Sequence, residues 1–232
     1  MDYYILENKT GPWGDYGDIL FTGFLNTFTY EKIKVKKTMR GKKINGKYTF
    51  EERMVEESNM IDLEYPELER AGPYIPEIYR VNSTYIVMID RVKQILENSE
   101  ITGIQNLKKV IKKKIVDINW TEWDNFDDKI YDLIEETETG EPEDLIWKAE
   151  NNEEIKKSMP DVWCTDIQKE TYTLKIISSE NNNEKYIVSK VPDKDVSMPE
   201  NMLYIIVSEN FKNIMEKNNI GTIQFEKIET GK

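Results

Sequence analysis

The chain has 232 residues, with 32 Lys and Arg against 44 Asp and Glu (formal net charge −12), one cysteine and no histidine. Lacking histidine, it cannot use Ser-His-Asp or Cys-His nucleophilic catalysis or His-ligated zinc, while carboxylate, Lys and Tyr chemistry and oxygen-ligated metals stay open. The acidic balance argues against docking along nucleic acid, and no apolar run approaches the ~18–20 residues that span a bilayer.

Taken in chain order, the start from Met1 to Glu7 lacks the basic and long apolar regions of a secretory signal. With Cys164 as the only thiol, a reduced cytoplasmic protein is expected. Tyr3 to Leu6 reads as a short strand, followed by the turn-rich Gly11-Pro12-Trp13-Gly14-Asp15-Tyr16-Gly17, which lacks the Lys-Ser/Thr of a phosphate loop. Phe28 to Lys37 contains an alternation, Ile33 and Val35 against Lys32, Lys34 and Lys36, and Asn45-Gly46 is a hairpin-turn signal before Tyr48-Thr49-Phe50. Residues 28–50 are therefore expected to form a basic hairpin with one wet face, its lysines discouraging edge aggregation. Pro66, Pro73 and Pro76 predict a broken, extended connection.

An ungapped repeat then appears at an offset of 119 residues. Tyr85-Ile86, Lys93, Ile95, Glu97, Ile101, Ile104-Gln105 and Lys108 recur as Tyr204-Ile205, Lys212, Ile214, Glu216, Ile220, Ile223-Gln224 and Lys227, nine identities over 24 positions. In the second copy Leu203 to Val207 is a predicted buried strand and Ser208 a helix cap. Phe211, Ile214 and Met215 make the helix's apolar stripe, and Gly221 is its predicted stop before a strand from Thr222 to Ile228. Ile89 stands where the first copy would need its capping serine, so that helix is expected from Asp90 or as early as Ser83. Thr171 to Ile177 and Lys185 to Val191 predict a second hairpin around a polar loop. The expected fold is α+β: mixed or antiparallel sheets with two similar strand–helix–strand units and an acidic helical insert. Its parts are a β-rich half with the first unit (1–116), the insert (117–160) and a hairpin with the second unit (161–232), in one compact domain or two closely packed halves.

Residues 117–144 hold twelve acids and one base, a net −11, so the other 204 residues sum to −1. On a helix from about Thr121, Trp123, Phe126, Ile130 and Leu133/Ile134 make one apolar stripe, with Asp124, Asp127, Asp128, Asp132, Glu135 and Glu136 largely outside it. Two readings are open: a core stripe with a solvated acid face, or a docking surface for a basic partner, steered by charge and anchored by Trp120 and Trp123. A metal on Asp124, Asp127, Asp128 and Asp132 is not expected, because the Asp-x-Asp-x-Asp-Gly pattern is missing; no cofactor is expected either. Cys164, in an apolar stretch, reads as a buried structural thiol.

Leu203-Tyr204-Ile205-Ile206-Val207-Ser208-Glu209-Asn210-Phe211, then Ile214-Met215 and Ile220-Gly221 with a closing strand, resembles the C-terminal signature of a family of bacterial immunity proteins. This family, the eleventh immunity family, belongs to polymorphic toxin systems and was formerly catalogued as a domain of unknown function. In the first copy, Ile95-Leu96 and Ile101-Thr102-Gly103-Ile104 are similar to the same element. The resemblance covers 85–108 and 203–228 and carries no catalytic residue. It implies a non-catalytic cytoplasmic protein that binds and neutralises a cognate toxin domain, and the charge argument adds that this domain is basic. The rival expectations are a regulatory or structural interaction module without a toxin, and a carboxylate-based hydrolase, which needs an acid buried in a cleft.

Overall fold

β1 (Tyr3–Asn8) is a run of apolar residues because both of its faces are covered: Tyr3 and Ile5 enter one apolar cluster, Tyr4 and Leu6 another. The computed structural model describes residues 1–9, 19–44, 47–82, 84–120, 132, 143–178 and 184–230. Among these, a helical turn at 19–22 precedes β2 (Phe24–Ile44) and β3 (Lys47–Gly72), then β4 (Ile78–Val81), β5 (Tyr85–Ile89), α1 (Asp90–Glu97), β6 (Lys108–Lys109) and β7 (Ile111–Asp117). The C-terminal part contains α2 (Asp144–Lys148), α3 (Glu153–Ser158), β8 (Val162–Asp166), β9 (Lys169–Glu170), β10 (Leu174–Ser178) and β11 (Glu184–Val188). It ends with β12 (Val196–Pro199), β13 (Ile206–Ser208), α4 (Glu209–Lys217) and β14 (Ile223–Thr230).

The protein is a strand-dominated α+β structure with mixed and antiparallel sheets. One sheet has the order β10–β11–β14–β1–β13–β12–β9, a second β4–β5–β8–β6, and a third β2–β3–β7. β6 and β7 are separated only by Val110, so the second and third sheets meet along one stretch of chain. α1 and α4 share a central core, where Val92 and Leu96 of α1 join Phe211 and Met215 of α4 with Ile86, Met88, Leu6 and Val207 from the strands. A second core lies around Leu68, Tyr79, Val87, Ile115 and Cys164, and a third around Ile5, Tyr172, Leu174 and Ile206.

Local chemistry explains the ends of the helices. Ser208 Oγ accepts from the Phe211 N–H at 3.2 Å and so caps α4, whereas α1 starts at Asp90 behind Ile89, which has no side-chain cap. Gly221 is not the helix stop; α4 ends at Lys217, and Asn219, at φ +56°, supplies the left-handed turn that asparagine tolerates. β3 runs through Pro66 to Gly72, so of the three prolines expected to break the chain only Pro73 and Pro76 do so, in the irregular connection at 73–77 before β4. Pro66 falls in an irregularity, between the Asn26–Glu67 and Phe28–Asp62 pairs, where β2 asks for no ladder N–H.

Asp195 ties the two helical regions together. Its Oδ2 accepts from the Thr102 N–H (3.0 Å) and Thr102 hydroxyl (2.9 Å), and its Oδ1 from the Ser208 hydroxyl (2.6 Å). The neighbouring Gly103 has φ +93°, and a Cβ there would collide with the Val196 carbonyl. Burial pushes the Asp195 carboxyl up, but hydrogen bonds from Ser208, Thr102 and Asn210 outweigh it and hold the group below the usual carboxylate range. A lowered folded-state value means that this contribution is complete above the ordinary Asp value and is lost as pH falls through the folded one. Asp195→Asn is therefore expected to cost about 1–2 kcal/mol at pH 7 and to flatten the loss of stability below about pH 4, read by urea unfolding across pH.

Candidate docking surface

β2 and β3 form a two-stranded arm that continues for about 50 Å beyond the Phe28–Asp62 pair, at ~3.3 Å per residue. Among the described residues no third strand joins it there, and a two-stranded hairpin is marginal in water on its own. Cross-strand charge helps to hold it: β2 carries the lysines, and the return strand answers with glutamates. Lys34 pairs with Glu57 at 3.2 Å and Lys37 with Glu52 at 2.5 Å, while Lys32 bonds Glu56 and Lys36 also bonds Glu57. Each pair is exposed and stabilises by ~1 kcal/mol at most, but together they fix the register. The predicted basic face is thus largely neutralised by β3.

The register also sorts the side chains. Tyr30 faces Met60, Lys32 faces Ser58, Val35 faces Glu56, Lys37 faces Met54 and Met39 faces Glu52. A shift between Lys32 and Lys34 adds Ile33 as an extra residue, so the Ile33/Val35 alternation expected from the sequence is broken there. Phe28, Tyr30, Val35, Met39, Phe50, Met54 and Met60 consequently share one face. Every one of them is exposed, Tyr30 at 65%, Phe50 at 66% and Met54 at 63%. Two oppositely charged pairs on that face, Lys32 with Glu56 and Lys37 with Glu52, neutralise each other, and Asp62 stands opposite Phe28 at its inner end. The opposite face carries Lys34, Lys36, Arg40, Arg53 and Glu57, with Val55 and Ile61 as its smaller apolar share. The arm is an amphipathic ribbon with an uncovered apolar side, well beyond the isolated surface apolar residue that needs no explanation.

At the root of the arm, Arg70 is fully buried. Its guanidinium donates to the carbonyls of Ala71 (2.9 Å), Tyr74 (3.1 Å) and Leu20 (3.4 Å) and to the Tyr79 hydroxyl (3.3 Å). Burial lowers its pKa, opposed by Tyr79, and burial likewise raises the Tyr79 phenol. A cavity of about 230 Å³ lies beside the root, lined by Thr27, Asp62, Tyr85, Lys108, Cys164 and Asp166 among others. Cys164 is no nucleophile there: burial pushes its thiol up to about 11, so it stays protonated at neutral pH.

Of the residues singled out in the sequence, Trp120 is buried in the core beside the arm's root. Its ring centroid lies 6.3 Å from that of Phe21 and 5.7 Å from that of Tyr74. Asp132 is exposed. Trp123, Asp124, Asp127, Asp128, Glu135 and Glu136 lie outside the described residues. The arm's apolar face is hidden in the sequence because the inner and outer segments of β2 alternate out of phase; the row of glutamates in β3 opposite the lysines of β2 marks the pairing that reveals it. Among the described residues no group of three or more acids or thiols is placed to hold a metal, and no helix is long and apolar enough to cross a membrane. No family model matches the chain, and comparison with curated proteins returns no match.

Proposed function

We propose that this is a non-catalytic binding protein that captures a partner protein on the apolar face of the β2–β3 arm. The carrying observation is that face: seven exposed apolar residues in register on a projecting ribbon, with the Lys32–Glu56 and Lys37–Glu52 charges between them already paired. The resemblance of 85–108 and 203–228 to immunity proteins supplies the partner class, a bacterial toxin domain met in the cytoplasm. In this reading the two similar strand–helix–strand units are the frame and the arm is the grip. The acidic stretch 117–144 steers a basic toxin surface toward it, and the toxin is neutralised by covering its active site or substrate groove. A standard interface of ~1,600 Å² is enough for tight capture when anchors of this kind are central.

The test is affinity capture from the native cell at low and high salt, followed by co-expression of any captured toxin domain. Wild-type chain is expected to rescue growth. Trp123→Ala and Asp127→Lys/Asp128→Lys should weaken capture, the charge variant more at low salt. Failure of the wild type to rescue growth removes the immunity reading; unchanged capture by both variants removes 117–144 from the interface.

A further inference from the structure

The two halves of the chain repeat one order of elements. Strand, hairpin, strand, strand, helix, strand describes β1, β2–β3, β4, β5, α1 and β6–β7, and also β8, β10–β11, β12, β13, α4 and β14, with α2 and α3 between the two series and the two-residue β9 as an addition in the second. The neighbour order is also shared. One half runs β2–β3–β7/β6–β8–β5–β4 and the other β10–β11–β14–β1–β13–β12. In both, the closing segment pairs antiparallel with a first strand early on, and parallel with the hairpin's second strand at its end. One element breaks the simple repeat. β1 sits between β13 and β14, in the second half's sheet, and β8 sits between β5 and β6, in the first half's.

The correspondence reaches individual residues. Ile89, Met88 and Val87 pair with Val162, Trp163 and Cys164; the residues 119 further on, Ser208, Val207 and Ile206, pair with Tyr3, Tyr4 and Ile5. Lys93 Nζ lies 4.4 Å from the Trp163 ring centroid, and Lys212, its repeat equivalent, lies 4.6 Å from that of Tyr4. The Asp90 N–H donates to the Asp161 carbonyl at 3.0 Å, and the Glu209 N–H to the Asp2 carbonyl at 2.8 Å. With a one-residue shift in the closing strand, where Lys109 rather than Lys108 stands opposite Trp163 as Lys227 stands opposite Tyr4, Lys109 pairs with Asp161 at 2.6 Å and Lys227 pairs with Asp2.

Contacts between the halves are reciprocal as well. Thr222 Oγ1 donates to the Ile78 carbonyl (2.8 Å) and accepts from its N–H (3.2 Å). On the other side the Thr102 carbonyl accepts from the Val196 N–H (3.1 Å), beside the Thr102–Asp195 bonds. Each half thus offers the turn after its helix to the strand that opens the other's helical unit, as in a two-fold interface.

We infer that the chain is two copies of one fold fused in tandem which have exchanged their first strands, so that each half's sheet is completed by the other. The donated strand is central: Tyr3, Tyr4, Ile5 and Leu6 are all buried. This inference stands independently of the proposed partner.

Cysteine pairs in the full chain, in a Cys164→Ser background, decide it. Directly paired positions on adjacent strands come close enough for a disulfide. The exchanged arrangement predicts that Tyr4→Cys/Val207→Cys and Met88→Cys/Trp163→Cys oxidise within the monomer. Tyr4→Cys/Met88→Cys and Trp163→Cys/Val207→Cys, the pairs of an unexchanged fold, should form at least tenfold less. Equal or inverted yields overturn the exchange. Should a pair unfold the chain, hydrogen exchange on the unsubstituted protein gives the same decision: β1 amides should open together with 206–208 and 223–228. Opening of β1 together with 85–89 instead overturns it.

Discussion

Replacing Tyr30 and Met54 together by threonine is expected to weaken partner capture at least 100-fold and to leave the fold intact. Both side chains are more than half exposed, so removing them opens no cavity, and threonine keeps the strand preference. Stability should change by about 1 kcal/mol or less, and the neighbouring ion pairs Lys32–Glu56 and Lys37–Glu52 remain. Binding is different, because large apolar and aromatic anchors near the centre of an interface cost ~2 kcal/mol or more each when truncated. Two such losses amount to several kcal/mol, and each 1.4 kcal/mol is tenfold in affinity. Calorimetric titration of the captured partner reads the effect directly. A dissociation constant within threefold of wild type, with an unchanged melting temperature, would show that the apolar face is not the grip.

Arg70→Ala is expected to be the most damaging single substitution at the root of the arm, at about 3–5 kcal/mol. The carbonyls of Leu20, Tyr74 and Ala71 and the hydroxyl of Tyr79 would lose their donor inside the core, and the vacated volume adds to that cost. For a chain of this size such a loss corresponds to a fall in melting temperature of roughly 6–20 °C. Arg91, which is half exposed and pairs with Glu77, is the matched control: Arg91→Ala should cost under about 1 kcal/mol. Equal melting shifts for the two variants would contradict a special role for the buried guanidinium. Arg70→Lys should not restore the wild type, since one ammonium cannot reach four acceptors arranged around a planar fork.

Local signals in the sequence were legible where short-range chemistry decides the structure. Tyr3 to Leu6, the antiparallel pairing that brings Ile44 opposite Lys47, the Ser208 cap and the two helices starting 119 residues apart follow from patterns within a few residues, while Asn45-Gly46 itself lies outside the described residues. Three features depended on information the local pattern lacks. Pro66 reads as a breaker until its place in a strand irregularity is known. Gly221 reads as a helix stop, although Asn219 had already turned the chain. The placement of β1 beside β13 and β14 joins residues some 200 positions apart, and no periodicity in either segment announces its partner. The candidate surface divides in the same way. The acids of 117–144 stand out by composition, whereas the arm's apolar face exists only once pairing has put Tyr30, Met39, Met54 and Phe50 on one side.

The extra residue at Ile33 acts as a phase correction. Inward of it the apolar positions are even-numbered, Phe28 and Tyr30; outward of it they are odd-numbered, Val35 and Met39, and only the one-residue shift aligns them. The β2 half of the outer arm can therefore be turned over as a block by a change in length rather than by substitution. A single-codon insertion outward of Ile33, if not absorbed by another bulge, would send Val35 and Met39 to the side of Lys34 and Arg53 and leave Phe50, Met54 and Met60 of β3 alone on the original face. Recognition in descendants of this chain could change in one genetic step of that kind, with the frame behind the arm untouched.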